Sequence, residues 1–197
     1  MDLDINERYY AIAGANQAGH IGLCRELCEA FLRDHPDHGP ALLMLAMQLT
    51  ELRLYAEAER MIDRAEQVVP AHRAKLIWAQ RGHLFEARGS WADAEAVYLR
   101  VHQAETDDAT YLIYAGLAAS EQGDVERALD HYTRATRCRE GCLDEAHYNR
   151  GGKLLALKRY TEAIEAYREA LRIDPDYELA KKRLLDLELL INHVQPD

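Results

Sequence analysis

Glycine and proline are scarce, 11 and 5 in 197 residues. That leaves too little turn material for the many reversals of an all-β chain. Basic residues are also in deficit: 24 Lys and Arg face 34 Asp and Glu, for a net charge of −10. A negative field of this kind repels phosphate backbones and anionic lipid, so neither nucleic acid nor a membrane is an expected partner. No run approaches 18 uninterrupted apolar residues, so nothing in the sequence is built to span a bilayer. Residues 1–7 are acidic and carry no apolar stretch. They read as neither signal nor transit peptide, and a cytoplasmic location is expected. The four cysteines are not expected to pair in such a reducing setting. No H-E-x-x-H, G-x-S-x-G or Rossmann glycine pattern occurs, so no enzyme and no cofactor is expected. What is present, 48% apolar and 29% charged residues, is ordinary globular composition.

The informative feature is self-similarity. Gly82, Gly116 and Gly151 are 34 and 35 residues apart. Twelve positions after each comes an alanine (Ala94, Ala128, Ala163), four further a tyrosine (Tyr98, Tyr132, Tyr167), and three beyond that Val101, Ala135 and Ala170. The frame extends backwards through Ala46, Ala58, Ile62 and Ala65, and then through Ile12, Cys24, Cys28 and Phe31. Five repeats follow, near 5–38, 39–74, 75–108, 109–143 and 144–177, with Pro36, Pro70 and Pro175 in one closing slot. Within 144–177, His147, Leu154 and Leu155, then Tyr160, Ile164, Tyr167, Ala170 and Leu171, show helical spacing in two blocks. Gly151 and Ala163 sit where two antiparallel helices must approach; a larger side chain there would cost about 1–3 kcal/mol in overpacking. Gly19, Gly89 and Gly123 fall at the hinge inside three repeats, where a positive φ is cheap for glycine.

This pattern resembles the tetratricopeptide repeat family. His147 to Gly151 with Tyr160, Ala163, Tyr167, Ala170 and Pro175 carry the closest match, and Trp78, Gly82, Phe85, Ala94 and Tyr98 the next. The resemblance implies an all-α, right-handed superhelical solenoid of antiparallel helix pairs, here one array over the whole chain. A helix over 178–193 is expected to cap it through Ala180, Leu184, Leu187 and Ile191, with a frayed tail at 194–197. Departures gather in the first repeat, where Arg8 replaces a large apolar residue, Ile12 a small one, and Cys24 and Cys28 an alanine and an aromatic. Arg81 and Arg150 stand where leucine is usual.

The resemblance also implies that ligands lie along the first helices of the pairs. Carried over slot by slot, the groove comprises Asn6, Tyr9, Ala13 and Asn16; Leu43, Met47 and Thr50; Ala79, His83 and Glu86; Ile113, Leu117 and Ser120; and Tyr148, Gly152 and Leu155. The Lys, Asn and Arg clamp of chaperone-tail binders is missing from these slots. An apolar trough with few charges suits an amphipathic or extended segment of another protein. The expected role is thus an adaptor or chaperone-like scaffold. The alternative is self-association, a homodimer made through Leu185 and Leu189 on the far side of the last helix.

Other chemistry has a plainer explanation at each place. The segment 14–20 has phosphate-loop glycine spacing but no Lys-Ser/Thr and no preceding strand. His20, Cys24 and Cys28 share a helix face, yet the cysteines occupy core slots and are expected to pack. Cys138 and Cys142 flank a turn near His131 and His147 without a C-x-x-C pair. Glu57, Glu59, Asp93, Glu95, Asp130, Glu162 and Glu165 are expected on solvated helix faces.

Overall fold

The computed structural model of the chain describes residues 4–104 and 107–194. Among them are eleven α-helices and no strand beyond one isolated bridge. Helices α1 (Ile5–Gln17) and α2 (Ile21–Asp34) form the first pair, α3 (Gly39–Glu51) and α4 (Tyr55–Val68) the second. The third is α5 (Ala74–Ala87) with α6 (Trp91–Ala104), the fourth α7 (Thr110–Glu121) with α8 (Val125–Ala135), and the fifth α9 (Leu143–Ala156) with α10 (Tyr160–Ile173). A last helix, α11 (Glu178–Val194), follows; of the tail expected to fray over 194–197, Val194 is helical and 195–197 lie outside the described residues. Each expected repeat therefore holds one helix pair, and the fold is all-α. The two extra residues of the second repeat are taken up in a 3-10 turn over Ala71–Arg73.

The chain divides into two compact units, Met1–Val97 and Tyr98–Asp197. In the first, α3 packs on α2, α4 and α5 around Leu42, Leu45, Ala46, Leu49, Ala58 and Ile62. In the second, α9 packs on α8 and α10, and α10 on α11.

All five hinges close in the same way. The amides of His20, Leu54, Ser90, Asp124 and Arg159 donate to the carbonyls of Ala15, Leu49, Phe85, Ala119 and Leu154, five residues back, at 2.8–3.1 Å. This is the bond of a Schellman cap, which needs a left-handed residue just before it. Gly19, Gly89 and Gly123 supply it at φ +70°, +76° and +79°, as expected. At the other two hinges Arg53 and Lys158 take φ 60°. The closing prolines also behave alike: α2, α4 and α10 end two residues before Pro36, Pro70 and Pro175.

The third and fourth repeats lack that proline, and their exit loops are tied to each other instead. The amides of Arg139 and Glu140 both donate to the Asp107 carbonyl at 3.0 Å, and Ala109 donates back to Glu140, also at 3.0 Å. A parallel bridge between Asp108 and Glu140 results.

Helix approach in the second unit depends on glycine. A Cβ on Gly116 would lie 2.6 Å from Cε1 of Tyr132, and one on Gly151 2.7 Å from Cε1 of Tyr167. The equivalent positions in the first repeat carry a traded pair: Ile12 stands at the glycine slot and Cys28 at the tyrosine slot, both fully buried in one core cluster. The large residue has moved from one helix to the other, and the space stays filled. Cys24 is buried beside them, its Sγ 3.7 Å from the Ile12 carbonyl. Arg8, where an apolar residue is usual, pairs with Asp34 at 2.9 Å and lies over the Phe31 ring, 5.5 Å from its centroid.

One expectation about charge fails. Glu95 is only 8% exposed, beside core Ala94 on α6, and does not face solvent. The periodicity of one helix identifies its apolar face but not how far the neighbouring elements wrap around it.

Three histidines are expected to make the fold acid-sensitive. His38 caps α3, its Nδ1 accepting from the Ala41 amide at 3.2 Å. Burial, and secondarily His35, holds its pKa below the ordinary 6.5. Burial likewise lowers His102 and His147. A base whose pKa is depressed by folding contributes stability that is whole above pH 6.5. That stability is lost as the pH falls towards the folded value, because the unfolded chain takes up the proton first. Protonating His38 also removes the capping acceptor. The thermal midpoint is expected to fall as the pH drops from about 7 to about 5. In His38→Asn, which keeps a capping oxygen but does not titrate, the fall should be shallower; identical slopes would refute the assignment.

Candidate functional site

In the first unit, five of the residues carried over as groove positions converge. Asn16, Leu43, Met47, Ala79 and His83 line one pocket of about 500 Å³ between α3 and the start of α5. Asn16 is fixed there by a hydrogen bond from Nε2 of buried Gln48 to its Oδ1, at 2.9 Å, which ties α1 to α3. The pocket's walls also include Met44, Val68, Val69, Leu76 and Gln80, so its surface is mostly aliphatic. Met47, Gln80 and His83 continue into an adjoining chamber of about 460 Å³, with Thr50, Glu51 and Glu86. His83 Nδ1 lies 3.6 Å from Glu86. The Thr50 hydroxyl donates to the Ala46 carbonyl at 2.9 Å, so it is engaged with its own helix.

Tyr9 is not among the lining residues. It is half-buried against Phe31 and His38, with ring centroids 6.1 and 4.9 Å away. Burial raises the pKa of its hydroxyl, with Cys28 adding to the effect. Asn6 is exposed and Ala13 half-buried on α1.

In the second unit, Tyr148, Gly152 and Leu155 line a pocket of about 400 Å³ together with Asn149, Lys153 and Arg183. Tyr148 has Tyr167 and Tyr177 as ring neighbours, at 5.8 and 5.0 Å. Burial, followed by Glu145, pushes the Tyr177 hydroxyl up to about 12. The Lys153 ammonium donates to the Ser120 hydroxyl. Leu117 stands 38% exposed on α7. Ile113 is a correction: it is buried at 4% in the cluster with Leu112 and Ala119, and so offers no surface to a ligand. A slot rule that picks three or four positions per helix does not register that core and groove sides are adjacent on one turn.

The same rule missed the neighbours one residue along. Met44 follows Leu43, and Gln80 follows Ala79. Leu76, Gln80 and His83 are at helical spacing, which a face-by-face reading of α5 picks up.

On α11, Ala180 and Leu187 are buried, while Leu184 and Ile191 pack against the cluster of Leu154, Ala163, Ala166 and Tyr167. Arg168 pairs with Glu188 at 2.6 Å. Leu185 and Leu189 are 57% and 50% exposed on the other side.

The four cysteines are free thiols, Cys24 and Cys28 buried, Cys138 half-buried and Cys142 exposed. Burial pushes the Cys28 thiol up to about 12 and raises that of Cys24. Burial, and then nearby carboxylates, also raise Cys138 and Cys142, so all four stay protonated near neutrality. No group of three or more His, Cys, Asp or Glu among the described residues is placed to hold a metal ion. No helix among them is long and apolar enough to cross a membrane.

A family model for the tetratricopeptide repeat matches residues 79–141 and 115–178. No curated protein sequence matches the chain. Among solved structures, a thermophilic tetratricopeptide repeat protein of Thermus thermophilus is similar at TM-score 0.66 and 18% identity, over 94% of this chain and 99% of that one. The MamA fragment from residue 41 to the end, of Desulfovibrio magneticus RS-1, aligns at TM-score 0.71 and 15% identity, over 90% and 98%. YrrB, described as a tetratricopeptide repeat protein with an unusual peptide-binding site, aligns at TM-score 0.63 and 16% identity, over 87% of each chain. At these identities the likeness concerns the fold.

Proposed function

The chain belongs to the tetratricopeptide repeat family, and from that premise we propose that it is a protein–protein interaction module. In this reading it is an adaptor or chaperone-like protein that holds a peptide or helical segment of a partner. The observation that carries it is the first-unit pocket, where residues of three first helices, α1, α3 and α5, form a mostly aliphatic recess. Recesses of this size and lining hold one or two large side chains. The aromatic pocket at Tyr148 and Leu155 supports the same reading in the second unit.

The test is Leu43→Glu combined with Leu117→Glu, the first half-buried in the pocket wall and the second exposed. Helicity by circular dichroism should be retained. Affinity for partners cross-linked to the wild-type chain should fall by about 30-fold or more, the loss of one hot-spot contact. Unchanged capture by the variant would refute the groove.

The exposure of Leu185 and Leu189 favours a second reading, self-association through α11. Sedimentation should then give a dimer that Leu185→Lys with Leu189→Lys converts to monomer. A wild type that stays monomeric at high concentration would eliminate it.

A further inference from the structure

The two chambers of the first unit share Met47, Gln80 and His83 but have opposite charge. The aliphatic one has Arg73 in its wall and no Asp or Glu. The other has Glu51 and Glu86 and neither Lys nor Arg. Arg73 is exposed and pairs with no carboxylate among the described residues, and exposed Glu51 pairs with no cation. The helix ends add to this polarity. Gly39, the first residue of α3, lies in the wall of the aliphatic chamber, and Arg73 directly precedes α5. At the other end, Glu51 closes α3 and Ala87 closes α5 in the wall of the acidic chamber. Helix N-termini carry partial positive charge and C-termini partial negative charge. Between the chambers, Gln80 has a buried Nε2 that finds no acceptor among the described residues.

Resting on the interaction reading above, we infer that this channel takes a short extended segment of a partner protein with a fixed order of charge. An acidic residue meets Arg73, an aliphatic or aromatic side chain fills the recess between Leu43, Met44 and Leu76, and a basic residue meets Glu51 and Glu86. A carbonyl of the segment accepts from Gln80 once its amide turns towards the pocket it lines. Arg73 and Glu86 are thirteen residues apart, about 20 Å along a helix axis. An extended chain covers that span in about six residues. A segment of about six residues is therefore long enough to touch both ends only if it is extended; a helix would need about thirteen residues to do so. In a chain of net charge −10, the basic end also discriminates: it is where an acidic residue of the partner escapes the repulsion of the rest of the surface.

The experiment is selection of a displayed library of random octapeptides on the full chain, followed by fluorescence anisotropy of the enriched peptides. Enriched sequences are expected to carry Asp or Glu and Lys or Arg on opposite sides of a large apolar residue. Arg73→Glu should replace the acidic preference with a basic one, and Glu51→Lys should weaken the basic preference. Gln80→Leu should weaken binding about tenfold without altering either preference, the scale of one lost hydrogen bond. Arg73 and Glu51 are on the surface, so these variants fold, which circular dichroism verifies. Enriched binders without the charge order, or charge variants that select the same peptides as wild type, overturn this inference and leave the interaction reading standing. Enrichment of no peptide at all also overturns this inference, whereas the interaction reading falls only if the Leu43→Glu, Leu117→Glu variant captures partners as the wild type does.

Discussion

Truncating Tyr167 to alanine is expected to lower the stability of the second unit by about 3–5 kcal/mol. The ring is 1% exposed and belongs to the cluster of Leu154, Ala163, Ala166 and Leu187, so its loss opens a cavity at the centre of the last pair. The same contact can be stressed from the other side. Gly151→Ala sets a methyl group 2.7 Å from the ring, an overlap costing about 1–3 kcal/mol, against which the better helix propensity of alanine returns about 0.5–1 kcal/mol. In the double variant the methyl group enters space the ring has left. The combined loss should then fall short of the sum by at least about 0.5 kcal/mol. Urea denaturation followed by circular dichroism measures all three variants. Strict additivity would mean that Gly151 and Tyr167 do not form the contact described.

Gly141→Ala is expected to cost about 2–4 kcal/mol, unusually much for a residue on an exposed loop. Two effects combine. The residue sits at φ +88°, a conformation that costs an L-residue about 1–2 kcal/mol, and its added Cβ would lie 2.5 Å from Asp108 Oδ1 and 3.0 Å from the Ala109 amide. Asp108 Oδ1 already accepts from the Thr110 amide at 2.8 Å, so it is not free to move aside. Displacing it breaks the bridge between Asp108 and Glu140, which joins the two exit loops that have no proline. Amide exchange at Arg139, Glu140 and Ala109 should accelerate together in the variant. A stability loss under about 0.5 kcal/mol, the ordinary scale of a surface substitution, would show that the loops hold without the bridge.

Periodicity carried most of the fold. The spacing of Gly82, Gly116 and Gly151 against Ala94, Ala128 and Ala163 places the last three helix pairs, because close approach there demands a small residue at fixed offsets. The glycine hinges were readable for the same reason. Arg53 and Lys158 were not, since only backbone hydrogen bonding at the hinge puts a long basic residue in left-handed geometry. Nor was the bridge between exit loops, which depends on main-chain groups of two segments some thirty residues apart. At the candidate site, Asn16, Leu43, Met47, Ala79 and His83 could be named from slots along three first helices. Val68 and Val69 could not, because they belong to the end of a second helix and reach the pocket only through tertiary packing. Ile113 and Glu95 mark the same limit: a helix has one period, but the depth of its burial is set by its neighbours.

The trade of Ile12 for glycine and Cys28 for tyrosine constrains how this chain can drift in evolution. Restoring glycine alone at position 12 leaves a hole, and restoring tyrosine alone at position 28 overfills the same space. Each single step back towards the pattern of the later repeats is therefore unfavourable, although both together are tolerable. The first repeat is held at its own packing solution by epistasis, and a chimera that joins its α1 to the α8 or α10 of a later repeat would inherit the mismatch.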